Sequence, residues 1–176
     1  GRQRVEAKRP RFQIAYLEEK RSLNIAGLEL SGRIDRMDRL TEGEMSGSYV
    51  LIDYKSGNAN PNVWTGPGPD EPQLTVYAVT GKEELSAVAF ARLKPGEMRL
   101  MGFARDKDLL PRVNEAKSWP DLLAAWKREA ESLAAAFAAG DAHVDPKHDL
   151  ETCRLCDLQT LCRVYEKYSV LARGEE

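Results

Sequence analysis

Residues 49–55 read Tyr-Val-Leu-Ile-Asp-Tyr-Lys, an apolar run that ends on two opposite charges. The aromatic, β-branched and aliphatic residues predict a strand. Asp53 and Lys55 are two apart, so both project from the same face. A carboxylate and an ammonium together at a strand end lose hydration, and only pairing or binding offsets that loss. This strand is the reference from which the rest of the chain is read.

Upstream, Leu28, Leu30, Gly32 and Ile34 share one face of a second strand, and Glu29, Ser31, Arg33 and Asp35 share the other. Phe12 to Glu18 predicts a short strand with Phe12, Ile14 and Tyr16 on one side. Leu23–Ile25, the pair Ala26-Gly27 and Leu28 predict a tight hairpin. The polar stretch 41–48 is a turn. Downstream, Ser56 to Asp70 is a long irregular segment rich in Gly, Asn and Pro, of the kind that is usually functional or mobile. A helix is expected over 71–80, with Pro72 in its first turn and Gly81 past its end. Ala87–Leu93 and Met98–Ala104 predict two more strands.

Ser118-Trp-Pro-Asp121 resembles a capping box, opening a helix to about Ala139 that Gly140 closes. Leu122, Trp126, Leu133 and Phe137 are its expected core stripe. The tail 141–176 holds both histidines, all three cysteines and an expected short helix around Arg163 to Leu171. The order of elements predicts an α/β fold: a central mixed sheet whose first three strands are antiparallel, with flanking helices. Residues 1–140 are expected to form the core and 141–176 a tail packed on it.

The chain has 176 residues, 42% of them hydrophobic, which suits one domain with a small appendage. Lys and Arg number 26 against 28 Asp and Glu, a formal net charge of -2, so any nucleic-acid contact must come from a local patch. The basic start, with Arg2, Arg4, Lys8, Arg9 and Arg11, reads as a solvated terminus. No membrane-span-like run or signal-peptide core is present, which predicts a cytoplasmic protein without a membrane partner. The chain opens without methionine, as expected of a piece of a longer protein.

If strands 28–39 and 49–55 pair as a hairpin, Asp35 and Asp53 converge. Two carboxylates plus a backbone carbonyl form a hard, oxygen-rich site suited to Mg²⁺ or Mn²⁺. A lysine beside it orients water or neutralises charge on a phosphate oxygen, the set that metal-assisted phosphodiester hydrolysis needs. Gln73 and Tyr77 share a helix face and can hydrogen-bond the site.

Gly32-Arg-Ile-Asp35-Arg, Ile52-Asp53-Tyr-Lys55-Ser-Gly57 and Pro72-Gln73-Leu-Thr-Val-Tyr77-Ala together resemble the RecB/AddB-type branch of the PD-(D/E)XK nucleases. The resemblance covers roughly residues 12–165. It implies a restriction-endonuclease-like core and a metal-dependent deoxyribonuclease, exonuclease-type, within a larger helicase-nuclease-like repair or recombination protein or beside a helicase-like partner subunit. It implies Asp35 and Asp53 as metal ligands helped by the Tyr54 carbonyl, Lys55 as the catalytic lysine, and Gln73 and Tyr77 as further site residues. Glu18 is a supporting metal candidate by the same resemblance, with Glu19 competing. Arg33, Arg36 and Trp64 are candidates for contact with DNA, although Trp64 could equally pack its loop on the core. The helix that members carry before the hairpin is expected to be missing.

Cys153-x2-Cys156-x5-Cys162 is similar to the cysteine tail of the iron–sulfur members of that branch. Three readings are open: three ligands of a [4Fe–4S] cluster whose fourth cysteine lies upstream of residue 1, a Cys₃His zinc site using His148 or His143, or three reduced thiols. Two rivals to an active nuclease are a catalytically inactive DNA-binding or scaffold module with the same fold, and a small metal-dependent hydrolase of another phosphoester.

Overall fold

In the computed structural model, six strands are hydrogen-bonded in chain order: β1 (Phe12–Ile25), β2 (Leu28–Leu40), β3 (Tyr49–Lys55), β4 (Leu85–Lys94), β5 (Glu97–Ala104) and β6 (Asn114–Glu115). The structure describes residues 7, 9–57, 59–66, 68, 70–94, 97–154 and 156–166. β1, β2 and β3 are antiparallel in sequence, as expected. β3 and β4 are parallel, β4 and β5 antiparallel, and β5 and β6 parallel. The parallel step needs a crossover, and helix α1 (Gln73–Thr80) supplies it. Helix α2 (Trp119–Ala138) follows the sheet, and two short helices, α3 (Asp149–Cys153) and α4 (Gln159–Cys162), carry cysteines. The result is the mixed α/β architecture that the strand and helix order predicts. The chain divides into two compact units, Gly1–Ala135 and Ala136–Glu176.

Local chemistry explains most element ends. Ala26 and Gly27 both have positive φ, 48° and 82°, and Ile25 pairs with Leu28, which makes a two-residue primed turn. Ser118 Oγ accepts the Asp121 N–H at 3.4 Å at the start of α2. Gly140, at φ 74°, ends that helix, and the Asp141 N–H reaches back to the Ala136 carbonyl at 2.9 Å.

Two core layers lie on the sheet's two faces. On the helical face Leu51, Val88 and Phe90 pack with Leu74, Tyr77, Trp64, Trp119 and Trp126. On the other face Val50, Ile52, Ala87, Ala89 and Ala91 pack with Leu109, Leu110 and Val113. β3 is therefore covered on both sides, and only its last residues reach an opening.

Four expectations are corrected. β1 is one continuous strand, and a register shift between Ile14 and Tyr16 turns Phe12 and Tyr16 to opposite faces. Leu133 and Phe137 are 44% and 72% exposed, because the buried stripe of α2 runs on from Trp126 through Ala130 and Ala134. The last two pack against Ile25, Leu28, Val76 and Val79. Arg9 is not a solvated basic residue: its side chain is 1% exposed and forms an ion pair with Asp38. Short helices flank the cysteines where none was expected. Most of the helix expected around Arg163 to Leu171 falls outside the described residues.

Candidate active site

The ladder between β2 and β3 ends at the pair Arg36–Ile52, and the next pair in that register is Asp35 and Asp53. There the strands part, and side chains satisfy the main chain that the ladder leaves open. The Tyr54 N–H donates to Asp35 Oδ2 at 2.9 Å. The Arg33 N–H donates to the Tyr77 hydroxyl at 2.9 Å, and Gln73 Nε2 reaches that hydroxyl at 3.2 Å. Gly32 makes this possible, since a Cβ there would run into the Tyr77 ring. Gln73 and Tyr77, predicted as site residues from helix spacing, thus prop the opening from the side of α1.

Asp53, 6% exposed, faces the helical side of the sheet with Lys55. Lys55 Nζ stands 3.3 Å from Asp53 Oδ2 and 2.9 Å from Glu71 Oε2. It also lies 5.2 Å from the centre of the Phe90 ring. Burial raises the Asp53 pKa, Lys55 pulls it the other way, and the Asp35 and Glu71 charges raise it further. Burial works against the Lys55 ammonium, but Glu71 and Asp53 prevail and its pKa is raised, so it stays charged. These groups border a cavity of about 610 Å³ whose far wall is apolar, formed by Leu23, Leu30 and Val76.

The arrangement fits a hard divalent cation. Asp53 Oδ2 is shut off from solvent and makes no hydrogen bond, only the long ion-pair contact to Lys55. Asp35 is the neighbouring carboxylate, and its charge acts directly on Asp53. A cation between them would relieve both the burial and the repulsion. Among the described residues no three His, Cys, Asp or Glu side chains group around one point, so the oxygen set is these two carboxylates plus main chain. Tyr54, whose carbonyl is the expected third ligand, sends its side chain to the opposite face, where Arg36 Nη1 donates to its hydroxyl at 3.2 Å.

The other predicted residues differ in how near the opening they lie. Glu18 lies opposite Asp35 by the register of its neighbours, has φ 51°, and pairs with exposed Arg33 at 3.2 Å. Glu19 pairs with Arg21 at 3.1 Å. Arg36 is corrected as a DNA contact: its side chain is 2% exposed and bonds Asp38 Oδ1 at 2.7 Å. Of the two readings of Trp64, the structure has the one that packs its loop on the core, as only 2% of it is exposed. It packs 4.4 Å from Phe90, and its carbonyl accepts the Trp126 indole N–H at 2.9 Å. That pins the loop after β3 to the core. Glu71 was missed by sequence reasoning, since no periodicity marks a lone carboxylate at the end of a loop. Its place two residues before Gln73 was the available signal.

The three cysteines are free thiols, Cys156 exposed and the other two half-buried. Among the described residues they do not group with one another or with a histidine into a set of three metal-binding side chains. His143 is exposed, and the N–H of His148 bonds the Thr152 hydroxyl at 3.0 Å. No helix among the described residues is long and apolar enough to cross a membrane.

Comparison with known proteins adds the family. No curated protein matches the chain. Among solved structures it is similar to the crystal structure of SSO0001, at 14% identity and a TM-score of 0.42, covering 84% of this chain and 59% of that one. The chain thus spans less than two thirds of that protein's length. The model of the PD-(D/E)XK nuclease superfamily matches residues 2–163, nearly the whole sequence, and the chain belongs to that superfamily.

Proposed function

We propose that residues 1–140 form a Mg²⁺- or Mn²⁺-dependent deoxyribonuclease domain of exonuclease type. The observation that carries this reading is the pairing of Asp53 and Lys55 at the end of a buried strand, beside Asp35, at the mouth of a cavity. Asp35, Asp53 and the Tyr54 carbonyl would hold the ion. A divalent cation bound there would supply Lewis-acid chemistry, polarising a phosphoryl oxygen and acidifying an attacking water. Lys55, charged and 3.3 Å from Asp53, is placed to steady that water or the negative charge that develops on the phosphate. Gln73 and Tyr77 keep β2 and β3 apart so that a phosphate can enter. Arg33, exposed at the rim, meets a neighbouring phosphate.

The test is cleavage of linear single- and double-stranded DNA with and without Mg²⁺. Asp53→Ala and Lys55→Ala should abolish cleavage and leave the circular-dichroism spectrum unchanged. Unchanged cleavage in both variants would discard the assignment. Metal-independent DNA binding with no cleavage would assign an inactive scaffold instead, and turnover of a small phosphodiester but of no DNA would assign a different hydrolase.

The finer reading is a RecB/AddB-type domain of the iron–sulfur branch, within a longer helicase-nuclease-like repair protein or beside a helicase-like subunit, in the reducing cytoplasm. Its support is the sequence pattern alone: Gln73 and Tyr77 after Lys55, and the Cys153-x2-Cys156-x5-Cys162 spacing in the tail 141–176. Iron and labile sulfide, with a visible spectrum, measured on anaerobically purified full-length protein test the branch. Zinc found without iron would remove the cluster reading.

A further inference from the structure

We infer that Glu71 is a positioning residue of this site: it competes with Asp53 for the Lys55 ammonium and so keeps the Asp53 carboxylate available to a divalent cation. The inference rests on the metal-dependent reading above.

Lys55 is shared between two carboxylates, and the partner outside the proposed ligand set is the nearer. Glu71 Oε2 is 2.9 Å from Lys55 Nζ, against 3.3 Å for Asp53 Oδ2. The Asp53 side chain is 9% exposed and the Glu71 side chain 40% exposed. A buried carboxylate binds whatever cation it can reach. Without Glu71, Lys55 would be left to Asp53, its ion-pair partner among the described residues. The ammonium would then neutralise one of the two charges that Asp35 and Asp53 present, and an incoming divalent ion would have to displace it. With Glu71 in place, the ammonium is shared with the rim, and the Asp53 charge is only partly neutralised before the ion arrives. Glu71 sits just before Pro72 and Gln73, so the segment that starts α1 fixes it relative to Tyr77 and the opening.

The test is calorimetric titration of Mn²⁺ and Mg²⁺ into metal-free protein, with no DNA present. The set is wild type, Glu71→Gln, Lys55→Met and the double variant, each checked for an unchanged thermal midpoint. Glu71→Gln should weaken cation binding by about fivefold, the scale of a partly exposed ion pair. Lys55→Met should strengthen it. In the Lys55→Met background the Glu71→Gln change should shrink below about twofold, since the ammonium that Glu71 restrains is gone. Equal loss in both backgrounds would make Glu71 a ligand or a source of general field, and would overturn the inference. Unchanged binding by Glu71→Gln would also overturn it, while leaving the nuclease reading intact. A wild type that binds the cation but cleaves no DNA would remove the nuclease reading and leave the inference standing. A wild type that binds neither ion would remove both.

Discussion

The hydroxyl of Tyr77 accepts the main-chain N–H of Arg33 at 2.9 Å, in the gap where β2 and β3 separate. This bond takes the place of a missing ladder bond. On the other side of the gap, Asp35 takes the Tyr54 N–H in the same way. The opening is thus a built feature: both of these partly buried main-chain donors are satisfied by side chains that the site itself supplies.

Tyr77→Phe should therefore cost stability by about 1 kcal/mol, because it orphans a partly buried amide. Gly32→Ala should cost more, about 1–3 kcal/mol, because its Cβ meets the Tyr77 ring and one of them must shift. Urea denaturation of both variants checks the order. A Gly32→Ala protein as stable as wild type would mean that the ring does not lie against β2.

On the metal-dependent reading proposed above, in which Asp53 is a charged ligand, Asp53→Asn should lose cleavage by about 100-fold. The same change should raise stability at neutral pH in metal-free buffer. The sign follows from the raised pKa of Asp53, caused first by burial and then by the Asp35 and Glu71 charges. A carboxyl with a raised folded-state pKa favours folding below its unfolded value and loses that contribution as the pH climbs through the folded one. At neutral pH the ionised form strains the fold, and asparagine removes the strain. Thermal midpoints with EDTA at pH 4 and pH 7 read this out: the gain of Asp53→Asn over wild type should grow with pH. A variant less stable than wild type at pH 7 would contradict it.

The parts of the fold that were legible in the sequence are those set by local chemistry. The strand 49–55, the Ala26-Gly27 turn, the Ser118 cap and the Gly140 stop each depend on a few neighbouring residues. Asp35, Asp53, Lys55, Gln73 and Tyr77 were legible as a set through the resemblance their motifs carry; Asp53, Lys55, Gln73 and Tyr77 line one cavity, and Asp35 takes the Tyr54 N–H beside Asp53. What was not legible depends on distant partners. Arg36 reads as one charge in a polar ladder, but its burial beside Asp38 is completed by the Tyr54 hydroxyl, far along the chain, which no local pattern reveals. The α2 stripe was misread because alanine carries little hydrophobic signal, although Ala130 and Ala134 are small enough to let the helix approach β1. Trp64 looked free in its loop because nothing local reveals the Phe90 and Trp126 rings that receive it.

The buried ionic cluster behind the site supports a further prediction. Asp38 accepts from Arg36 at 2.7 Å and pairs with Arg9 at 2.8 Å, and its side chain is 0% exposed. The Arg9 guanidinium also lies 4.1 Å from the centre of the Phe12 ring. Removing the anion strands two guanidinium groups away from water, so Asp38→Ala should cost about 3–5 kcal/mol. Because Arg36 also holds the Tyr54 hydroxyl, the variant should loosen the end of β3. Hydrogen exchange at Tyr54 and Lys55 should therefore speed up more than at β5. Equal acceleration in both strands would mean that the cluster stabilises the fold without positioning the site.

Arg21 and Glu83 give a prediction with a defined pH course. The guanidinium meets the carboxylate through two bonds, at 2.9 and 2.8 Å, and both side chains are mostly buried at 16% and 12% exposure. This two-pronged pair ties β1 to the turn after α1. The bond from Arg21 holds the Glu83 pKa below its ordinary value of 4.5. A carboxyl lowered in the folded state stabilises the protein above its unfolded pKa and loses that contribution as the pH falls through the folded one. Glu83→Gln should therefore cost about 1 kcal/mol at pH 7, and the cost should fade as the pH drops below 4.5. Urea midpoints for the two proteins from pH 7 to pH 3 make the comparison. A difference that persists undiminished at pH 3 would mean that packing of the Glu83 side chain, and not its charge, holds β1 to that turn.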